Sequence, residues 1–286
     1  MRITFTPSEE LYPFEPKWFD SEVGRVHYVD EGEGQSILLL HGNPTWSFLY
    51  RHIINNLKGR FRLIAPDYPG FGLSDRPQGY GYTSAEQAQV VKSLVSHLEL
   101  TDLIIMAQDW GGPIGIDTAL SSPDRIQGLV IGNTWCWPAE TTMMRLFSKI
   151  MSTQYIQRKI IDQNFFVNRM IPMATSKKLS PEEMEHYRAT QPEPVARLGA
   201  AEFPKQIIDA DPWLQTLVER VPDVLGGKPL LLTWGMKDFG FPPKAFIPTW
   251  QSMFSDVVTV PLENAKHYIQ ENAPDQISDA IIQRFG

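Results

Sequence analysis

The chain reads as an α/β protein: a mostly parallel sheet flanked by helices, interrupted once by an inserted helical cap. Three observations predict this. Short apolar runs of strand length recur along the chain, helical stretches with start signals stand between them, and the alternation stops from about residue 135 to 221, where no clear strand is found. With 286 residues and 42% hydrophobic content, the chain can bury a sizeable core.

In order, "KWFDSEVGRVHYVDEG" (17–32) reads as an antiparallel hairpin. Five apolar runs then suit buried parallel strands: "SILLLHG" (36–42), "FRLIAPD" (61–67), "DLIIMAQD" (102–109), "GLVIGNT" (128–134) and "PLLLTWG" (229–235). Each ends in a polar or glycine-containing loop. "TSAE" (83–86) carries a Thr-x-x-Glu capping box that starts a helix. Within the irregular stretch, "LSPEEMEHYRAT" (179–190) offers Ser180 as N-cap, Pro181 at the first helical position and Glu183 to close a second box. Residues 1–134 are therefore expected to form the first part of a main domain, 135–221 a helical cap, and 222–286 the second part. The insertion leaves the sheet near the carboxyl ends of its strands, where such folds bind ligands, so it is expected to be a lid.

Composition removes several function classes. Net charge is −7 with no Lys/Arg-rich run, against the electrostatic footprint of a nucleic-acid binder. No stretch approaches the roughly 18 apolar residues of a membrane span, and the first twenty residues are rich in acids and prolines, so neither secretion nor membrane insertion is expected. The one cysteine, Cys136, permits no internal disulfide, in keeping with a reducing cytoplasm. It has no neighbouring histidine to make it a nucleophile. No H-x-x-x-H pattern suggests a metal site.

The candidate chemistry lies in four loops: "HGNPTW" (41–46), "QDWGG" (108–112), "WGMKD" (234–238) and "NAKHYIQENAP" (264–274). They hold Asp109, Asp238 and His267, in the chain order nucleophile, acid, histidine. Each residue alone has an ordinary reading, as a turn residue or a surface histidine. Their joint placement at strand ends argues for a triad. His41 comes too early in the chain for the base and is expected to hydrogen-bond its own loop; His27, His52, His97 and His186 have no motif around them.

The segments "HGNPTWSFLYR", "PDYPGFGLSDRP", "QDWGGPIG", "WGMKD" and "AKHYIQENAP" resemble those of haloalkane dehalogenases, members of the α/β-hydrolase superfamily, and the likeness covers nearly the whole chain. Asn43 together with Trp110 and the acid in "GMKD" resembles the third subfamily. "HGNP" and "DWGG" are partly shared with epoxide hydrolases. Ala107 stands where many such elbows have glycine.

The resemblance implies hydrolysis of a small halogenated hydrocarbon to a primary alcohol and halide. Asp109 is already ionised near neutral pH, so it can displace halide without losing a proton. Trp110 and Asn43 offer N–H donors for the departing ion. The resulting alkyl ester is then hydrolysed by water, with His267 as base and Asp238 orienting the imidazole. No cofactor and no metal are called for. The family also places Phe166 and Pro204 at lid positions on the halide side, and backbone N–H groups of residues 43 and 110 in an oxyanion hole. Two rivals stand beside this reading. An epoxide hydrolase would use the same Asp-His-Asp set with lid tyrosines, for which Tyr155 and Tyr187 are the candidates; a non-catalytic hydrolase-fold protein would only hold a ligand.

Overall fold

The structure is a computed structural model that describes residues 1–139 and 142–286. Its centre is an eight-stranded sheet of order β1-β2-β4-β3-β5-β6-β7-β8. The strands are β1 (Lys17–Ser21), β2 (Gly24–Glu31), β3 (Ser36–Leu40), β4 (Arg62–Pro66), β5 (Leu103–Gln108), β6 (Ile126–Gly132), β7 (Leu230–Gly235) and β8 (Val257–Leu262). The β1–β2 hairpin and the β2–β4 pairing are antiparallel, and all pairings from β4 through to β8 are parallel. The hairpin and five parallel strands lie where the apolar runs predict them. β8 is the strand absent from the expected set although its VVTVPL is itself apolar; it lies at the edge of the sheet, leaves most of its residues partly or fully exposed and contains Pro261.

Alternation within the strands divides the core in two. Leu38, Leu40, Ile105 and Ala107 point into one hydrophobic cluster, and Ile37, Leu39, Ile104 and Met106 into the other, as a period of two requires. Helices α1 (Arg51–Leu57) and α12 (Pro274–Phe285) pack together on one face, and α2 (Ser84–His97) and α3 (Gly111–Ser121) on the other. The predicted box at Thr83 and Glu86 is formed, each side chain bonding the other residue's backbone N–H.

Between β6 and β7 the described residues hold helices and no strand: α4 (Thr142–Met151), α5 (Gln154–Gln163), α6 (Ile171–Ala174), α7 (Pro181–Ala189), α8 (Leu198–Asp209) and α9 (Asp211–Leu225). Ser180 and Glu183 form the second box at the start of α7. α8 packs on α4, whereas α9 lies against α3 beside the sheet. Two further helices, α10 (Pro243–Met253) and α11 (Ile269–Asn272), complete the chain before α12. No helix among the described residues is long and apolar enough to cross a membrane.

Candidate active site

The site forms where the strand order reverses. β3 lies between β4 and β5, and the chain leaves the two central strands, β3 and β5, in opposite directions, opening a crevice at their carboxyl ends. Asp109 closes β5 with φ +52°, a left-handed conformation that an ordinary residue adopts at a cost. The turn is held from both sides. The Asp109 N–H donates to the Asn133 carbonyl at 3.2 Å, and its own carbonyl accepts from the Gly112 N–H at 3.0 Å and from the Thr134 hydroxyl. A Cβ on Gly42 would fall on the Asp109 carboxylate, and one on Gly111 on the Leu40 carbonyl. The glycines of "HGNP" and "DWGG" thus permit the two loops to touch. Ala107 sits beneath the elbow, fully buried and paired with Leu40.

The contact orients the carboxylate. The backbone N–H of Asn43 donates to Asp109 Oδ1 at 2.7 Å, while Oδ2 lies 3.5 Å from His267 Nε2. His267 Nδ1 donates to Asp238 Oδ2 at 2.8 Å. Asp238 also accepts from Asn133 Nδ2 at 2.7 Å and from the Gly240 N–H at 2.8 Å. The three residues named from chain order are therefore assembled on three loops. Tyr268 ties two of the loops together, its hydroxyl donating to the Asn43 carbonyl at 3.1 Å.

Electrostatics follow from this packing. Burial disfavours the charged forms of both members of the His267–Asp238 pair, and their mutual attraction outweighs it. With Asp109 adding to the pull, the His267 imidazolium is raised to about 10. Asp238 is held below the usual carboxylate range by His267, Asn133 and the Gly240 amide. The ordinary imidazole value of about 6.5 therefore does not describe this histidine.

Trp110 is buried, its ring stacked on Phe203 of α8 at 5.2 Å and 15° and meeting Trp135 edge-on at 4.7 Å. Asn43 donates one side-chain N–H to the Ala200 carbonyl of α8 at 3.1 Å, which leaves its second amide hydrogen. Helix α8 is thus seated on both predicted halide donors. Phe166 packs with Met151, Ile160 and Ala201 in a cluster of the helical segment. Pro204 lies inside α8, where its carbonyl accepts from the Ser148 hydroxyl at 2.7 Å. Its neighbour Phe203 is the aromatic that covers the indole.

Sequence reasoning missed four residues here: Phe203, Asn133, Tyr268 and Gln108. Gln108 lies fully buried at the end of β5, its Nε2 3.0 Å from His267 Nε2 and 3.2 Å from the His267 carbonyl. Adjacency to Asp109, His267 and Pro204 marks three of them in the sequence, but nothing local says which way their side chains turn.

The remaining candidates have structural roles. His41 Nδ1 donates to the Gly42 carbonyl at 3.0 Å and Nε2 accepts from the Tyr68 N–H at 3.3 Å; burial lowers its imidazolium to about 4. His27 bonds Asp67 at 2.9 Å, and His186 accepts from the Ser8 N–H at 3.0 Å. Cys136 is buried, which pushes its thiol up and away from reactivity. Tyr155 is exposed, and the Tyr187 hydroxyl is committed to Glu271 at 2.5 Å. His52, Glu183 and Glu271 lie close enough together to hold a cation, but the Arg51 guanidinium takes that place, with N–O distances of 2.6 and 2.9 Å to Glu271 and 2.8 Å to Glu183.

Sheet order, elbow and loop arrangement define an α/β-hydrolase, and residues 35–274 match the family model for the alpha/beta hydrolase fold. The chain belongs within it to the haloalkane dehalogenases. It is 56% identical over 286 residues to haloalkane dehalogenase 2 of Mycobacterium tuberculosis and of Mycobacterium bovis, covering 100% of both chains. Among solved structures it resembles haloalkane dehalogenase DbeA from Bradyrhizobium elkani, with a TM-score of 0.86 and 25% identity over 94% of this chain and 97% of that one. It also resembles a putative ancestral haloalkane dehalogenase, with a TM-score of 0.85 and 26% identity over 93% and 97% of the two chains.

Proposed function

We propose that this protein hydrolyses small haloalkanes to primary alcohol and halide through a covalent ester on Asp109. The observation that carries the reading is a carboxylate at the elbow, where other hydrolases of this fold have serine, with an imidazole 3.5 Å from its free oxygen and an indole on the next residue.

Asp109 Oδ1 is held by the Asn43 amide, so Oδ2 is the oxygen that attacks carbon, in line with the carbon–halogen bond. The C–O bond forms as the C–X bond breaks, and the halide leaves with the bonding pair. The Trp110 indole N–H and the free amide hydrogen of Asn43 receive the growing charge, each contributing about 1.5–3 kcal/mol. Neither donor gives up its proton, which suits a leaving group that is a stable anion. Water then attacks the ester carbonyl carbon, its proton passing to His267 Nε2, while the Asn43 N–H stabilises the oxyanion on Oδ1. Collapse returns that proton to the departing alkoxide, and loss of the second water proton, by way of His267 to solvent, restores the Asp109 carboxylate.

Within the 135–221 segment the helices α4 to α8 act as the lid, excluding water and shaping the alkyl pocket, with Phe166 and Pro204 on the halide side, while α9 packs beside the sheet. The substrate is a halogenated hydrocarbon, the other participants are water and halide, and the enzyme works in the cytoplasm. An epoxide hydrolase must protonate an alkoxide from the lid, and the engagement of Tyr187 with Glu271 and the exposure of Tyr155 give that rival no support.

A single turnover with a bromoalkane in heavy-oxygen water is the test. One unlabelled oxygen from Asp109 should appear in the alcohol of that first turnover, with bromide released. A first product carrying the solvent label throughout would overturn the covalent route, and turnover of epoxides without halide release would favour the rival.

A further inference from the structure

Gln108 is the residue before the nucleophile, and the reaction as described gives it no task. Its side chain is fully buried, and its NH2 faces two acceptors that both belong to His267: the ring Nε2 at 3.0 Å and the backbone carbonyl at 3.2 Å. Its Oε1 is buried without a partner among the described residues. The carbonyl decides which way the amide points. Turned over, the amide would set its oxygen against the His267 carbonyl oxygen, two acceptors with no hydrogen between them.

This arrangement has a consequence for the ring. A donor directed at Nε2 meets a lone pair only in the neutral ring, so it selects the neutral form whose proton sits on Nδ1, which Asp238 Oδ2 accepts at 2.8 Å. The charged groups facing the ring are Asp238, on the loop after β7, and Asp109, at the elbow after β5; both favour a doubly protonated imidazolium. Phe241 stacks on the ring at 5.4 Å and Tyr268 meets its edge at 4.9 Å, and neither brings a charge. Protonation at Nε2 would turn the ring toward an ion pair with Asp109 Oδ2, tying up the nucleophile and removing the base together. Among these neighbours Gln108 alone opposes that outcome, because a hydrogen bond donated to the neutral form disfavours the charged one.

We propose that Gln108 is a positioning residue for the base: its amide clamps the ring and backbone of His267 and opposes protonation at Nε2, holding the ring's protonation midpoint below where the two carboxylates alone would set it, until the Asp109 ester has formed and water takes the amide's place. This rests on the covalent route proposed above. Alkylation removes the Asp109 charge, so the pull toward imidazolium weakens at the moment water must be deprotonated. The amide gives up one hydrogen bond to the ring and retains the other to the carbonyl, so it stays in place for the next cycle.

The test uses the whole enzyme and two near-isosteric variants, Gln108→Met, which removes the donor, and Gln108→Glu, which replaces it with an acceptor. Titration of the His267 ring nitrogens by 15N NMR without substrate should show the protonation midpoint moved up by about one pH unit in Gln108→Met and further in Gln108→Glu. The acid limb of ester hydrolysis in single turnovers should move in the same direction and the same order, with a smaller change in the rate of ester formation. A merely structural role would produce no such ordering. Midpoints equal to the wild type in both folded variants would overturn the proposal. Should the variants not fold, the wild type still decides it: above its midpoint the ring must show an unprotonated, hydrogen-bonded Nε2 and a protonated Nδ1, and the opposite tautomer would refute the clamp. The covalent route is checked separately, since a missing alkyl adduct on Asp109 in His267→Phe would remove that route and leave the NMR result standing.

Discussion

Trp110→Phe isolates the indole N–H from the ring that carries it. The side chain is 2% exposed and stacked on Phe203 at 5.2 Å, and a phenylalanine retains a six-membered ring on that partner while deleting the donor. A hydrogen bond to an ion contributes about 1.5–3 kcal/mol. Halide acquires its charge only as the C–X bond breaks, so most of that energy belongs to the transition state. At about 1.4 kcal/mol per tenfold, ester formation should slow roughly 10- to 150-fold. Ester hydrolysis draws instead on the Asn43 N–H and His267 and should change by less than about threefold. The assay is rapid mixing with a bromoalkane in a His267→Phe background, where the ester should accumulate, followed by quenching and mass analysis of the peptide holding Asp109. Thermal unfolding controls for the smaller ring, which should lower stability by about 1–3 kcal/mol. Adduct formation within about twofold of the parent rate would refute the role of the indole.

Three further outcomes follow from the geometry. Gly42→Ala places a methyl on the Asp109 carboxylate and should cut ester formation about 100-fold or more, as read by the same adduct assay; an unaffected rate would mean that the two loops are not in contact during reaction. Arg51→Met leaves the Glu271 carboxylate buried without its cation, so urea unfolding should show a loss of about 3–5 kcal/mol, part of which the additional change Glu271→Gln recovers. For pH, the sign runs through Asp109: His267 is raised to about 10 beside two carboxylates, and esterification neutralises one of them. The midpoint governing single-turnover ester hydrolysis should therefore lie below the midpoint of His267 in the unreacted enzyme, with hydrolysis lost as pH falls through it; coincident midpoints would contradict a charged Asp109 in the resting site.

What could be read from the sequence was whatever has a short-range cause. Alternating sheet faces produce apolar runs, so β3 to β7 stand out at nearly their true bounds, and the boxes at Thr83 and Ser180 are each closed within four residues. The motifs around Asp109, Asp238 and His267 are legible for the same reason, because each loop must provide its own turn chemistry. β8 is apolar and β-branched as well, but Thr259 and Pro261 break its run, and as an edge strand it leaves one side open to solvent.

The sequence by itself determined the sheet, the order of the reacting groups and the residue types that can do this chemistry. Only the tertiary structure decided which groups meet: that Asn43 divides its amide between α8 and the crevice, that Phe203 covers the indole, that Asn133 holds Asp238, and that Gln108 faces the ring of His267. The three hydrogen bonds join residues 105 to 159 positions apart, and Phe203 reaches Trp110 from the inserted helices. Local propensity is settled within a few residues of chain. Direction and distance between side chains are settled by how whole layers pack, and a distance of 3.0 Å between an amide and an imidazole exists only after the sheet has closed around both.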